Sequence, residues 1–251
     1  MIDKSLVVFF TASYPSPEKT VEFMLTASEA GADVIELGIP FSDPVADGKT
    51  IQESYVRALK NFRVKQVFDV VRAFREESDK PVVIMSYFNP IYRMGVRDFV
   101  ERAYSSGADA MLVVDLPYDE ADGYVDICSS IGMDTVFLAA PNTSEERLRA
   151  IDELSAFIYL VSTYGVTGER KEISPLAFEA LKRVKNICKK PVAVGFGVSR
   201  ADHVRQLIEA GADGVVVGSA FIRIINEKGG NAVEDIRKLT INLKSGILGS
   251  Y

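Results

Sequence analysis

The chain has 251 residues, of which 47% are hydrophobic, and a formal net charge of −6 at pH 7. This hydrophobic content supports a large folded core and excludes a disordered chain. Basic residues are scattered without a long basic block, which argues against nucleic-acid binding, and no apolar run approaches the ~18–20 residues of a membrane span.

Short apolar runs alternate with longer amphipathic segments along the chain. Eight runs are predicted to be β-strands: Leu6–Thr11, Val34–Gly38, Val82–Ser86, Ala110–Asp115, Thr135–Ala139, Phe157–Ser162, Val192–Gly195 and Gly214–Val217. Near-continuous hydrophobicity is typical of strands in a parallel sheet that is covered on both faces. The predicted helices are Glu18–Ala30, Val64–Glu77, Val96–Ser106, Asp119–Ile131, Glu145–Leu154, Pro175–Ile187, Ala201–Ala210, Phe221–Asn226 and Asn231–Lys244.

Eight strand–helix units predict an α/β fold in one domain over residues 1–251, a closed (β/α)8 TIM barrel. A doubly wound open sheet is the alternative, although it usually has fewer strands. A Gly-Ala-Asp sequence precedes three of the strands, ending at Asp33, Asp109 and Asp213. We interpret it as a shared loop solution, because glycine suits a left-handed residue where a helix ends.

The second strand and the loop after it contain the most informative residues, Glu36 and Asp47. The active site of such a barrel lies at the C-terminal ends of its strands. An acid in an apolar strand is expensive to bury without a role, so the two carboxyl groups predict general acid–base chemistry. Asp47 could instead be the N-cap of a helix that begins at Gly48.

Small residues after the seventh and eighth strands, Gly195-Phe196-Gly197 and Gly218-Ser219, predict a phosphate-binding cradle. Two ordinary turns are the alternative.

The glycine-hinged loop Gly165–Glu172 suits a mobile lid, or it is simply a long surface loop. Tyr87 and Tyr159 could face a ligand or belong to the barrel core. Asp43 lies in a Ser-Asp-Pro turn and either shapes the loop or contacts a partner.

Other residue types limit the chemistry. The single histidine, His203, lies in a predicted helix, and we expect it to be a solvated surface residue. No cluster has the spacing of metal ligands, and no predicted strand contains a lysine, which argues against a Schiff-base aldolase. Cys128 and Cys188 are expected to be small buried hydrophobes. With a strand-like segment starting at Leu6, no room is left for a signal peptide, so we expect a cytoplasmic protein.

From Phe9 to the final helix, the sequence resembles the tryptophan synthase alpha subunit family. The most specific matches are Glu36–Pro44, Ala46–Gly48 with Thr50–Gln52, Gly165–Gly168, and the glycine pairs after the last two predicted strands. One departure is visible, since Lys49 stands where the family usually has proline. The resemblance implies a retro-aldol lyase that cleaves indole-3-glycerol phosphate to indole and glyceraldehyde 3-phosphate.

The resemblance also implies roles for individual residues. Glu36 would be the acid–base group, and Asp47 would hold the indole N–H and stabilise the cationic intermediate. Thr167 would hydrogen-bond Asp47, and Tyr159 would orient Glu36. The other expected substrate-binding residues are Phe9, Leu112 and Leu138 around the indole, Gly168, Gly197, Gly218 and Ser219 at the phosphate, and Tyr87 and Phe196.

The resemblance further implies a partner. The family's alpha subunit needs no metal and no organic cofactor, and it passes indole to a pyridoxal-phosphate beta subunit in an alpha2beta2 complex. Asp43, Pro44 and Asn89, the last in a turn formed by Asn89-Pro90, would face that subunit. A catalytically silent phosphate-binding barrel that acts as an allosteric partner is the alternative. A sugar-phosphate isomerase is a further rival, but such enzymes usually place a lysine or cysteine at a strand end.

Overall fold

The computed structural model describes residues 1–161, 173–195 and 197–249. Within these residues, eight parallel strands pair in chain order, and β8 pairs with β1 to close a barrel. The strands are β1 Ser5–Thr11, β2 Val34–Gly38, β3 Val82–Ser86, β4 Ala110–Val113, β5 Asp134–Ala139, β6 Ile158–Val161, β7 Val192–Gly195 and β8 Gly214–Val217. The predicted fold is therefore confirmed.

Helices cover the outside of the barrel. Those in the described residues are α1 Pro17–Glu29, α2 Lys49–Ala58, α3 Lys65–Arg75, α4 Phe88–Met94, α5 Val96–Ser106, α6 Asp122–Ile131, α7 Glu145–Leu154, α8 Pro175–Ile187, α9 Ala201–Glu209, α10 Ser219–Lys228 and α11 Val233–Leu248. None of the helices in the described part of the chain combines the length and apolar character needed to cross a bilayer.

Two local predictions were wrong near the ends of β3 and β4. The segment around Asn89 and Pro90 is not a turn but the first turn of α4, where proline is tolerated because its missing N–H has no intrahelical partner. The fourth strand ends at Val113, two residues earlier than predicted. Beyond it, the Asp115 carboxylate accepts a 2.6 Å hydrogen bond from the backbone N–H of Phe88 and so satisfies the start of α4.

The barrel interior is filled by side chains from alternate strand positions, as the two-residue period of a strand requires. Val7, Val34, Val83 and Leu112 belong to one buried apolar cluster. Because Glu36 lies two residues after Val34 on β2, its side chain points to the same interior, one layer nearer the C-terminal ends of the strands.

The three Gly-Ala-Asp sequences form the same structural device at the opposite end of the barrel. In each, one carboxylate oxygen of Asp33, Asp109 or Asp213 accepts a 2.7 Å hydrogen bond from a backbone N–H at or beside the start of the preceding strand, and it also contacts a cation from a helix. The backbone donors are Leu6, Val82 and Val192, and the cations are Lys244, Arg75 and Lys185, in the same order. The repeat thus joins strand to helix, and its glycines have positive φ as predicted.

His203 is not the surface residue that the sequence predicted. Only 2% of it is exposed, and its Nε2 lies 2.9 Å from Nη2 of Arg200. It falls on the inner face of α9 beside Val204 and Leu207, which are fully buried. Cys128 and Cys188 are buried thiols.

Candidate active site

Glu36 is a buried acid without a local partner. Its exposed fraction is 2%, and within the described residues neither of its carboxyl oxygens has a hydrogen-bond partner. Burial raises the pKa of Glu36 from an ordinary value of 4.5 to about 8, and the nearby Asp47 carboxylate adds to the rise. Desolvation disfavours the charged form, so this carboxyl group holds its proton at neutral pH.

Asp47 is the second buried acid, and the loop after β2 brings it to the same chamber. Burial raises the pKa of Asp47 from 3.8 to about 6, against the effect of a hydrogen bond from Tyr87. The Tyr87 hydroxyl donates to Oδ2 of Asp47 at 2.6 Å. At neutral pH, Asp47 is therefore ionised while Glu36 is protonated, so the two acids are prepared for opposite roles.

The helix-cap interpretation of Asp47 is wrong. The N-cap of α2 is Gly48, which has no side chain, so α2 begins without a side-chain cap. Hydrogen bonds within the same loop and to residues near it instead fix the position of Asp47. The side-chain amide of Gln52 donates to the Asp47 carbonyl at 2.7 Å, and the Tyr87 hydroxyl accepts from the N–H of Ala46 at 3.1 Å. Lys49, the departure from the family pattern, is exposed to solvent.

Glu36 and Asp47 line one cavity at the C-terminal ends of the strands, which encloses about 670 Å³ of empty space, part of it open to solvent. Most of its wall is apolar. The predicted residues Phe9, Leu112 and Leu138 line it, together with Ile51, Met85, Val114, Val161, Val198 and Val216. An apolar slot with a few polar groups suits a planar aromatic ligand.

The position of Phe9 in that wall depends on Gly38. A Cβ atom at Gly38 would lie 2.4 Å from Cε2 of Phe9 and 3.0 Å from the Tyr55 hydroxyl. Only a residue without a side chain allows the Phe9 ring to come this close to β2.

Small residues and a helix start line another part of the cavity. Gly197, Gly218 and Ser219 line the same cavity as the two acids. Helix α10 begins at Ser219, two residues earlier than predicted. As at any helix start, its first backbone N–H groups have no intrahelical partner. These N–H groups and the helix dipole favour a phosphate at this position. Gly197, with a φ of 65°, has a backbone conformation that favours glycine.

Two tyrosines differ from what the sequence and the resemblance implied. Tyr87 does not line the described cavity; its hydroxyl contacts Asp47, and its ring stacks on Phe41 with centroids 4.9 Å apart. Tyr159 does line the cavity, but no hydrogen bond joins it to Glu36 in the described structure. Its ring lies over Gly195, where a Cβ atom would come within 2.8 Å of it.

The remaining predicted residues fall into two groups. Thr167, Gly168 and Phe196, with the rest of the Gly165–Glu172 loop, lie outside the described residues. Asp43 and Asn89 are exposed and Pro44 is partly exposed, on two segments at the C-terminal end of the barrel. Val45, beside them, is 78% exposed.

Sequence reasoning missed Gln52 and Tyr55. Gln52 lies one turn into α2, from where a long side chain reaches back to the loop that precedes the helix, and that spacing is the signal that could have identified it. Tyr55 is fully buried; burial raises the pKa of its hydroxyl, and the charges of Asp47 and Glu36 add to the rise. The described ranges contain no group of three or more His, Cys, Asp or Glu side chains that could hold a metal ion.

Known proteins resemble this chain over nearly its whole length. A sequence model of the family described as tryptophan synthase alpha chain matches residues 2–247. Proteins named tryptophan synthase alpha chain from Archaeoglobus fulgidus and Pyrococcus abyssi are 78% and 54% identical to it; the alignments cover 99% and 94% of this chain and 100% and 96% of those proteins.

Solved structures agree with the sequence matches. The alpha chain in a structure of the Pyrococcus furiosus tryptophan synthase a2b2 complex is 50% identical, with a TM-score of 0.92 over 97% of this chain and 99% of that one. A structure of the tryptophan synthase A-subunit from the same organism gives a TM-score of 0.93. With this fold and this pair of acids, the chain belongs to the tryptophan synthase alpha chain family.

Proposed function

We propose that this protein is a lyase that cleaves indole-3-glycerol phosphate to indole and glyceraldehyde 3-phosphate. The single observation that carries the proposal is the cavity that both Glu36 and Asp47 line, together with Ser219 at the N-terminus of α10. Burial raises the pKa of Glu36 further than that of Asp47, which favours a protonated Glu36 beside an ionised Asp47. Protonating a ring carbon while stabilising a cation requires one acid that keeps its proton and one that has lost it.

The first step uses the proton of Glu36. It passes to C3 of the indole ring, the carbon that bears the glycerol chain, and leaves a cationic indolenine and a Glu36 carboxylate. Ionised Asp47 accepts the N–H of the ring and stabilises the positive charge on nitrogen. In an apolar cavity this attraction is stronger than in water, because little solvent screens it.

The second step returns the proton to Glu36. Its carboxylate removes the proton from the hydroxyl group next to the ring, and that oxygen forms the aldehyde carbonyl as the carbon–carbon bond breaks. The bonding electrons return to the indole ring and neutralise the cation. Indole and glyceraldehyde 3-phosphate result, and Glu36 is protonated again, so the cycle needs no outside acid.

Binding energy comes from the two ends of the cavity. Phe9, Leu112 and Leu138 would hold the indole, and Gly197, Gly218 and Ser219 would hold the phosphate. We extend the proposal to Gly168 at the phosphate, to Phe196 as a substrate-binding residue, and to Thr167 as a hydrogen-bond partner of Asp47. Tyr87 would act by orienting Asp47 rather than by touching the substrate.

A beta subunit is the proposed partner, because similar alpha chains occur in an a2b2 complex. Asp43, Pro44 and Asn89, which lie beside the mouth of the cavity, would face it, and indole would pass to its pyridoxal phosphate. No organic cofactor is needed in the alpha chain for the steps above. The cytoplasm is the expected compartment of such an assembly.

The test is indole release from indole-3-glycerol phosphate by the purified chain. We expect release by the wild type, none above background by Glu36→Gln, and binding of inorganic phosphate by both. Glu53→Gln, on the exposed face of α2, is the matched control and should keep wild-type turnover. A silent barrel would bind phosphate and release no indole even as the wild type, and wild-type turnover by Glu36→Gln would show that Glu36 is not the acid.

A further inference from the structure

Two helices determine where the ends of a bound substrate would lie. Helix α10 begins at Ser219, at the phosphate end of the cavity, and α2 begins two residues after Asp47, at the indole end. A substrate that contacts both ends at once, in a reactive geometry, limits the distance between the two helix starts. The residues that hold α2 against α10 therefore affect the reaction without touching the substrate.

Asn226, two turns into α10, bonds to both ends of α2. Its side-chain Nδ2 donates to the carbonyl of Thr50 in the first turn of α2, at 3.4 Å. Its backbone carbonyl accepts from Nη1 of Arg57, at 3.2 Å, close to the last residue of α2. A single residue thus ties α10 to the start and the end of the helix that follows Asp47.

Tyr14, in the loop after β1, completes the network. Its hydroxyl donates to Oδ1 of Asn226 at 2.7 Å and accepts from Nη1 of Arg57 at 3.1 Å. Only 7% of Tyr14 is exposed, so its ring is fixed by packing while its hydroxyl joins the two helices. Both polar atoms of the Asn226 side chain, Oδ1 and Nδ2, form a hydrogen bond, and the two bonds to different elements restrict its rotamer.

We infer that Asn226, with Tyr14 and Arg57, is a positioning residue that sets the distance between the phosphate-binding helix start and Asp47. The inference rests on the proposed function, because it assumes a ligand that spans both ends. Replacing Asn226 removes no group that would bind substrate, because the α10 N-terminus and both acids are still present, but it removes bonds that hold α2 against α10. A ligand that contacts one end is then unaffected, whereas one that contacts both ends is not.

The experiment compares two probes by calorimetric titration: inorganic phosphate, and an uncleavable ligand in which a three-carbon alkyl chain joins indole to a phosphate monoester. For Asn226→Ala, we expect the phosphate Kd to stay within about twofold of wild type, the Kd of the spanning ligand to rise about tenfold, and kcat for indole release to fall about tenfold. Tyr14→Phe, which removes only the hydroxyl, should also raise the Kd of the spanning ligand and lower kcat, each by a smaller factor. Glu227→Ala, on the exposed face of α10, is the control.

An unchanged Kd for the spanning ligand in Asn226→Ala, whatever its melting temperature, would overturn the inference, and so would an equal loss of affinity for both probes. If Asn226→Ala does not fold, Tyr14→Phe decides by the same comparison. A wild type that releases no indole and does not bind the spanning ligand would refute the proposed function itself. Failure of the inference leaves wild-type catalysis intact, so the two failures are distinguishable.

Discussion

The hydroxyl of Tyr87 controls the proton affinity of Asp47, and Tyr87→Phe removes that hydroxyl while keeping the ring stacked on Phe41. The 2.6 Å hydrogen bond stabilises the ionised form of Asp47 and lowers its pKa, which burial has raised to about 6. A hydrogen bond to a charged group contributes about 1.5–3 kcal/mol, and one pKa unit corresponds to about 1.4 kcal/mol. The variant should therefore raise the pKa of Asp47 by roughly one to two units.

The assay is the pH dependence of kcat/KM for indole release by the purified chain. The wild type needs ionised Asp47 and protonated Glu36, so its profile should be a bell with limbs near pH 6 and pH 8. In Tyr87→Phe, the acid limb should move towards the alkaline limb, and the maximum should fall. Tyr92→Phe, which removes a hydroxyl from an exposed side chain on α4, should leave both limbs in place.

An acid limb that does not move in Tyr87→Phe, or that moves to lower pH, would refute this reasoning. It would mean either that the limb does not report Asp47 or that the hydrogen bond does not favour the ionised carboxylate. A uniform loss of activity at every pH would count against it as well, because that result reflects a misplaced loop rather than a changed proton affinity.

Three further predictions concern stability and packing. The buried Glu36 carboxyl group has its pKa raised from 4.5 to about 8, so its contribution to stability is complete below pH 4.5 and is lost as the pH rises to 8. As the pH rises across this interval, the unfolding free energy of the wild type should therefore fall relative to that of Glu36→Gln, by about 1.4 kcal/mol per pH unit. Urea unfolding of both proteins measures this difference. Gly38→Ala should push the Phe9 ring into the cavity, lower stability by about 1–3 kcal/mol and raise KM, measured by urea unfolding and steady-state kinetics. Asp109→Ala leaves the N–H of Val82 without its acceptor and should cost about 1–3 kcal/mol in urea unfolding, with kcat unchanged because it lies at the opposite end of the barrel.

Each of these has a result that contradicts it. A constant difference between Glu36→Gln and wild type from pH 5 to pH 8 would show that the group does not keep its proton on folding. For Gly38→Ala, the control is Gly123→Ala, where a Cβ atom meets nothing within 4 Å, and equal effects of the two would refute the packing argument. A fall in kcat for Asp109→Ala, at unchanged stability, would contradict a purely structural role.

The local hydrophobic pattern of the sequence was sufficient to predict elements whose structure depends on neighbouring residues along the chain. Four of the eight predicted strands, including β2 with Glu36, have the predicted bounds, because a continuous apolar run ending in glycine or a polar residue marks a buried strand. The error at α4 arose where a proline signalled a turn but lay in the first turn of a helix. His203 was mispredicted because its polarity was weighted above its place on the inner face of α9.

The sequence by itself determined the barrel and supplied both acids, since strand and helix periods and residue types are properties of short segments. Only the tertiary structure decided which acid keeps its proton. Tyr87, which follows β3, donates to Asp47 in the loop after β2, and side chains from the other strands of the barrel exclude water from Glu36. The pKa values of the two acids therefore depend on distances through space. The same reason applies to Asn226, whose partners Tyr14, Thr50 and Arg57 lie far from it in sequence and meet it only once the barrel is closed.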